Sequence, residues 1–334
     1  MIIDVHAHAL LPEVERVVAG GDGLAGHRAL DARRNGPDAV KASGAMVAER
    51  MPRLTDPAIR LADMDRAGVD VQVVSPSPSH YHYWADPGLA ARAHRTANEG
   101  VAAHCAHSPE RLIGLGLVPL QHPGLAVDLL DHALSLGLRG VEISSHAPGR
   151  DLSDPAYEPL WERAAATGAV LFLHPFGCTL DERLDRWYLS NTVGQPVENA
   201  VALSHLIFSG VLDRHPGLRI VAAHGGGYLP THIGRADHGW RVRPDARGCA
   251  EPPSAYLRRL WFDSLVHDPS VLRHLVGAVG ADRVLLGSDH PFDMGTDAPV
   301  DALRAAGLDA GALTAIAGGN ALALFRPNTE ETRA

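Results

Sequence analysis

The feature that most constrains the fold of this 334-residue chain is a repeat of two patterns. Eight short, nearly continuous apolar runs alternate with helical segments. The first opens the chain, and the others lie near residues 69–74, 111–120, 140–144, 169–173, 218–223, 260–263 and 283–286. Runs of this kind suit strands buried on both faces, and strict β-α alternation implies a parallel sheet. Eight units in one chain of this length predict an α/β fold, a (β/α)8 TIM-type barrel, rather than an open doubly wound sheet. No GxGxxG follows the first run, which argues against dinucleotide binding. The expected domain is a single barrel over 1–326, with a polar tail at 327–334. An insertion over about 9–55, rich in Gly and Pro, is expected to be partly helical near 42–50. Asp56-Pro57 predicts a helix start, and Gly68 its end.

The polar residues that close these runs carry the functional argument. The first run stops at His6 and His8, which are two apart and so share one face of a strand. The fifth run stops at His174, the sixth at His224 before Gly225-Gly226-Gly227, the seventh at Asp263-Ser264 and the eighth at Ser288-Asp289-His290. In a barrel these ends meet at one rim, where barrel active sites are built. Three imidazoles and a carboxylate suit one divalent ion of the Zn2+ type, with Mn2+ also fitting. A second, bridged ion is not expected, because Lys41 is the only lysine and lies on no strand. Glu142, inside the fourth run, is the residue that tests that expectation. His224 is read as an acid–base group, with a further metal ligand or a packing role left open by spacing alone. The glycines after it are expected to let backbone approach a bound group.

Composition excludes several classes. Net charge is −9, so there is no basic footprint for nucleic acid. No run is long enough to span a membrane, and no leader peptide is read. Cys105, Cys178 and Cys249 are far apart and form no CxxC, so a reducing cytoplasm is expected.

His6-x-His8, His174-Pro175, the HGGG from His224 and the SDxPF from Ser288 together resemble the amidohydrolase superfamily. Asp56-Pro57-Ala58 with Met64-Asp65, the stretch from Gly68 to Val73, Gly234-Arg235-Ala236-Asp237 and Pro252-Pro253-Ser254-Ala255-Tyr256 narrow the likeness. They point to the branch of aminocarboxymuconate-semialdehyde decarboxylase, γ-resorcylate decarboxylase and 5-carboxyvanillate decarboxylase. The resemblance extends from residue 2 to about 326. It implies a mononuclear metal-dependent, nonoxidative decarboxylase of a small carboxylic acid, with His6, His8, His174 and Asp289 as ligands. It further implies His224, with Asp289, as the proton-transfer centre. Arg235 matches an arginine that reaches the neighbouring subunit's site, which implies a homodimer. Arg50 matches a carboxylate-binding arginine. Trp187 and Phe292 match pocket-lining aromatics, and Trp84 is placed beside the substrate. His290 departs from the family's tyrosine. The alternative reading is a metal-dependent hydrolase on the same scaffold.

Overall fold

The computed structural model describes residues 1–325; the expected tail and the last residue of the expected domain lie outside the described residues. The strands are β1 (Ile3–Ala9), β2 (Val71–Pro76), β3 (Leu112–Gly114), β4 (Gly116–Leu117), β5 (Gly140–Ile143), β6 (His146–Ala147), β7 (Arg150–Asp151), β8 (Val170–Leu173), β9 (Arg219–Ala222), β10 (Trp261–Asp263) and β11 (Val284–Leu285). Two parallel sheets carry them, one in the order β1-β2-β3 and one in the order β11-β10-β9-β8-β5-β4. A small β6–β7 hairpin is antiparallel. The fold is thus α/β with parallel sheets and helices between most of the parallel strands. The expected third strand is split into β3 and β4 at Leu115, whose N–H donates to Val74 O at 2.9 Å. At the other margin, Val5 N donates to Leu286 O, and Asp289 N to His6 O, both at 2.8 Å.

Two apolar clusters follow from strand alternation. Ile3, Val5, Val71, Val73, Leu115, Val170, Phe172, Val221 and Leu285 pack together on one side of the strands. Val74, Val141, Leu171, Ile220, Val284 and Leu286 point the other way, into the helices.

The expectation of an insertion only partly helical near 42–50 is corrected. Residues 9–55 carry three helices: α1 (Pro12–Val18), α2 (Leu24–Asn35) and α3 (Pro37–Thr55). Gly36, at φ 79°, breaks the chain between α2 and α3. Helix α2 buries no residue, so it lacks the apolar stripe by which a helix is read from sequence. Helix α4 (Pro57–Ala67) is capped as expected: Asp56 accepts from Ala58 N and Ile59 N, and Gly68 turns left-handed at φ 68°. No described helix is long and apolar enough to cross a membrane.

Candidate metal centre

Ligand atoms of His6, His8, His174 and Asp289 all lie within 4.8 Å of one another, and all four residues are buried. His6 and His8 come from β1, His174 follows β8, and Asp289 follows β11. His6 Nδ1 donates to Asp263 Oδ2 at 2.6 Å, which leaves a bare lone pair on Nε2. His8 Nδ1 sits 3.1 Å from Ser75 Oγ, whose own proton goes to Glu142 Oε2 at 2.5 Å. That leaves the His8 Nε2 lone pair bare as well. The two Nε2 atoms face each other at 3.1 Å, with Asp289 Oδ1 3.4 and 3.3 Å away. Among the described residues, Asp289 Oδ1 and both ring nitrogens of His174 have no hydrogen-bond partner. Two bare imidazole lone pairs, an unpartnered carboxylate oxygen and an unpartnered imidazole, all buried and converging, are costly unless a cation sits between them. The donor set therefore fits a divalent metal ion, and a single ion is what it can hold.

Electrostatics agree with that use. Burial, then the neighbouring His8, His224 and His6, hold the His174 imidazole well below its usual range, so it stays neutral. Burial opposes ionisation of Asp289, but His6, His224 and His8 outweigh it and hold the carboxyl well below the carboxylate range. Glu142 lies behind His8 rather than across from it: Ser75 and Tyr81 hydroxyls hold it, the latter at 2.7 Å, and burial pushes its carboxyl up. It orients His8 instead of offering a second ion a ligand.

His224 stands beside this group. Its Nε2 is 3.9 Å from Asp289 Oδ2, and its ring centroid is 4.9 Å from that of His174. Burial lowers the imidazole, but the adjacent Asp289 carboxylate and the charges of Asp263 and Glu142 outweigh it, so the net shift is upward. The glycine run also meets a conformational need. Residues 224 to 227 all have positive φ, and a Cβ at Gly227 would lie 2.1 Å from Pro196 O. Glycine is required there by backbone conformation and close packing.

The remaining expected site residues divide. Phe292 lies against His8 with ring centroids 5.4 Å apart, and Arg50 Nη1, from α3, donates to Pro291 O at 2.6 Å. Both border the centre. Trp84 instead packs over Gly21 and Gly23 and near His27 and His82. Trp187 is 83 % exposed, and Arg235 is exposed on the helix Leu229–Val242. The His290 side chain is buried away from the ligands, 3.6 Å from Asp63 Oδ2. Three residues given no role from sequence also belong here. Asp263 and Ser75 fix His6 and His8; their signal was a polar residue ending an apolar strand. Tyr188 is half-buried near Ser43, its phenol pushed up to about 12 by burial and by the Asp293 and Asp289 carboxylates.

Asp263 accepts from three donors, since its Oδ1 also takes Gly225 N at 2.8 Å and Leu265 N at 3.2 Å. An amide cannot serve both sides. Asp263→Asn is expected to weaken metal affinity about 10- to 100-fold by setting either His6 or the Gly225 turn against an N–H. Metal titration of the purified variant checks this; unchanged affinity would remove Asp263 from the centre.

A second acid–imidazole group, Glu15, His80 and His82, is also compact. There Leu11 N donates to His80 Nε2 at 2.9 Å, so Nδ1 carries the proton and faces Glu15 Oε1 at 3.2 Å. An imidazole engaged in this way has no lone pair left for a cation.

The amidohydrolase family model matches residues 3–326. The chain belongs to the amidohydrolase family. It is 35% identical over 300 residues to the 2-amino-3-carboxymuconate-6-semialdehyde decarboxylase of Dictyostelium discoideum, covering 89% of this chain and 83% of that one. The structure is similar to that of 5-carboxyvanillate decarboxylase from Sphingomonas paucimobilis, with a TM-score of 0.83, 28% identity, and coverage of 98% and 99%. It is also similar to a dihydroxybenzoic acid decarboxylase from Polaromonas, solved with manganese and an inhibitor, 2-nitroresorcinol. There the TM-score is 0.79, with 25% identity and coverage of 97% and 96%. This amidohydrolase thus sits in a branch whose similar members carry decarboxylase names.

Proposed function

We infer that the chain is a metal-dependent, nonoxidative carboxy-lyase acting on an aromatic or muconate-type carboxylic acid. The observation that carries this reading is the buried, converging cluster of His6, His8, His174 and Asp289, with ligand atoms left unpartnered, in a chain whose relatives are decarboxylases. These four side chains hold one divalent ion. The set suits Zn2+, the ion expected from sequence, and equally Mn2+, which the Polaromonas structure carries. When bound, the ion supplies charge neutralisation for a substrate carboxylate and an adjacent oxygen. His224 delivers a proton to the carbon that bears the leaving carboxylate, with Asp289 beside it as the charge that keeps the imidazole protonated. The carbon–carbon bond then breaks, CO2 leaves, and the unsaturated or aromatic system is restored. Arg50 and Phe292 border the substrate, Arg50 by pairing with a carboxylate.

The finer architecture belongs to the same proposal. The eight strands close as one (β/α)8 barrel over 1–326, with 9–55 as its insertion; the hydrogen bonds from Val5 to Leu286 and from Leu115 to Val74 support closure. The active unit is a homodimer in which Arg235 reaches the neighbouring site and Trp187 completes the pocket wall. The exposure of Arg235 and Trp187 supports an unfinished surface there. A cytoplasmic location accords with three buried, unpaired cysteines.

The test is to offer the Mn2+- or Zn2+-loaded protein γ-resorcylate, 5-carboxyvanillate and aminocarboxymuconate semialdehyde in D2O and in H2 18O. The expected result is CO2 release with one solvent deuteron at the carbon that lost it. Label from 18O in a newly formed acid product would assign a hydrolase instead.

A further inference from the structure

Strand β1 contains an irregularity on which the whole centre depends. Ile3 and Val5 face the inner apolar cluster with Val71, Val73 and Phe172. Simple alternation from there would send Asp4, His6 and His8 together to the helix side. The β1–β2 register departs from this: Asp4 pairs with Gln72 and Ala7 with Val74, so β1 spends one more residue than β2. That extra residue is a β-bulge, and bulges re-aim side chains beside active sites. Beyond it the parity is reversed. The His6 ring meets the Phe172 ring at 4.9 Å, and His8 pairs with Ser75 inside, while Asp4 stays on the helix side.

One carboxylate holds this arrangement. Asp4 Oδ1 accepts from His6 N at 3.1 Å, the N–H at the bulge, and from Ser288 N at 3.0 Å. Its Oδ2 accepts from Ser288 Oγ at 2.5 Å and Gln72 Nε2 at 2.8 Å. Ser288 Oγ takes His290 N at 3.2 Å, so its proton is free for Asp4. The Gln72 Oε1 in turn accepts from Arg60 Nη1 at 2.7 Å, and Arg60 Nη2 donates to His8 O at 2.5 Å. Asp4, Arg60, Gln72 and Ser288 are all buried. The network therefore joins the backbone of His6, the backbone of His8 and the residue preceding Asp289, three of the four ligand positions, without touching any ligand side chain's coordinating atom.

We propose that Asp4 is the positioning residue of the metal centre: its carboxylate stabilises the β1 bulge that turns His6 and His8 inward, and pins Ser288 so that Asp289 meets them. The proposal rests on the reading of the four side chains as ligands of a divalent ion. Asp4→Asn leaves one acceptor oxygen for four donors and presents an N–H to two of them. Asp4→Asn with Gln72→Glu restores an acceptor opposite the new N–H and keeps Arg60 paired.

The probe is Mn2+ alone, titrated into metal-free protein with free Mn2+ followed by electron paramagnetic resonance; far-UV circular dichroism and thermal melting report folding. Folded Asp4→Asn is expected to bind Mn2+ at least about 10-fold more weakly than wild type, and the double variant to recover most of that loss. Wild-type affinity in Asp4→Asn, or a double variant no tighter than the single one, overturns the proposal. If Asp4→Asn does not fold, Ser288→Ala, which keeps the carboxylate and removes one donor, is expected to weaken Mn2+ about 3- to 10-fold; unchanged affinity there overturns the proposal equally. The underlying ligand reading fails separately, in a wild-type protein that takes up no Mn2+ or in a His174→Ala variant that binds it as wild type does. Either of those results removes the proposal with it.

Discussion

Replacing His174 with alanine is expected to strip the protein of its divalent ion and with it turnover. Both ring nitrogens of His174 are buried, and neither has a hydrogen-bond partner among the described residues. A buried imidazole without partners is a net cost to the fold, one that coordination of a cation would offset. Burial and the adjacent imidazoles keep it neutral, with a lone pair available to an ion. Loss of a residue that merely supports a ligand costs about 10- to 100-fold in metal affinity, and loss of a ligand is expected to exceed that, by more than about 100-fold. The fold should survive, because His174 N donates to Ile143 O at 2.9 Å, a backbone bond alanine retains. Metal content after gel filtration, measured beside turnover, checks the prediction. A His174→Ala protein that retains one tightly bound ion per chain would remove this residue from the ligand set.

His224→Ala should separate the two roles. The variant is expected to keep its metal and lose about 10²- to 10⁴-fold in kcat, the range for a positioned proton donor. His224 lies outside the compact group of four ligand atoms, with its Nε2 3.9 Å from the Asp289 oxygen that does not face His6 and His8. Asp289, Asp263 and Glu142 shift it upward against burial, the opposite direction from His174, which favours a proton on this imidazole. The backbone at φ 54° swings the ring out of strand alternation toward the ligands. If His224→Ala lost metal as fully as His174→Ala, His224 would be a ligand and the proton would need another source. Metal analysis and single-turnover rates on the same preparation distinguish these results.

Much of the architecture was legible because it is local. Asp56 and Gly68 bound α4 through a cap and a left-handed turn that need only neighbouring residues. The helix Pro269–Val279 likewise starts on a local cap, with Asp268 accepting from Ser270 N and Val271 N. The strand-end histidines and Asp289 could be singled out because polar groups closing apolar strands have little other use there. Helix α2 was not legible, since it buries nothing and so carries no periodic apolar signal. The placements of Trp84 and Trp187 were not legible either. Aromatic residues satisfy many environments, and Trp84 was captured by the glycine turn at residues 20–23.

The sequence by itself determined the alternation of strands and helices outside residues 9–55, the family, and which side chains stand at the strand ends, because periodicity, caps and residue chemistry act over a few positions. Only the tertiary structure decided which way β1 faces at His6 and His8. That depends on one extra residue in a ladder with β2 and on a carboxylate whose four donors come from β1, β2 and the segment after β11. Such a register is a property of paired strands, with Asp4 and Ser288 separated by most of the chain, and no periodicity within β1 encodes it.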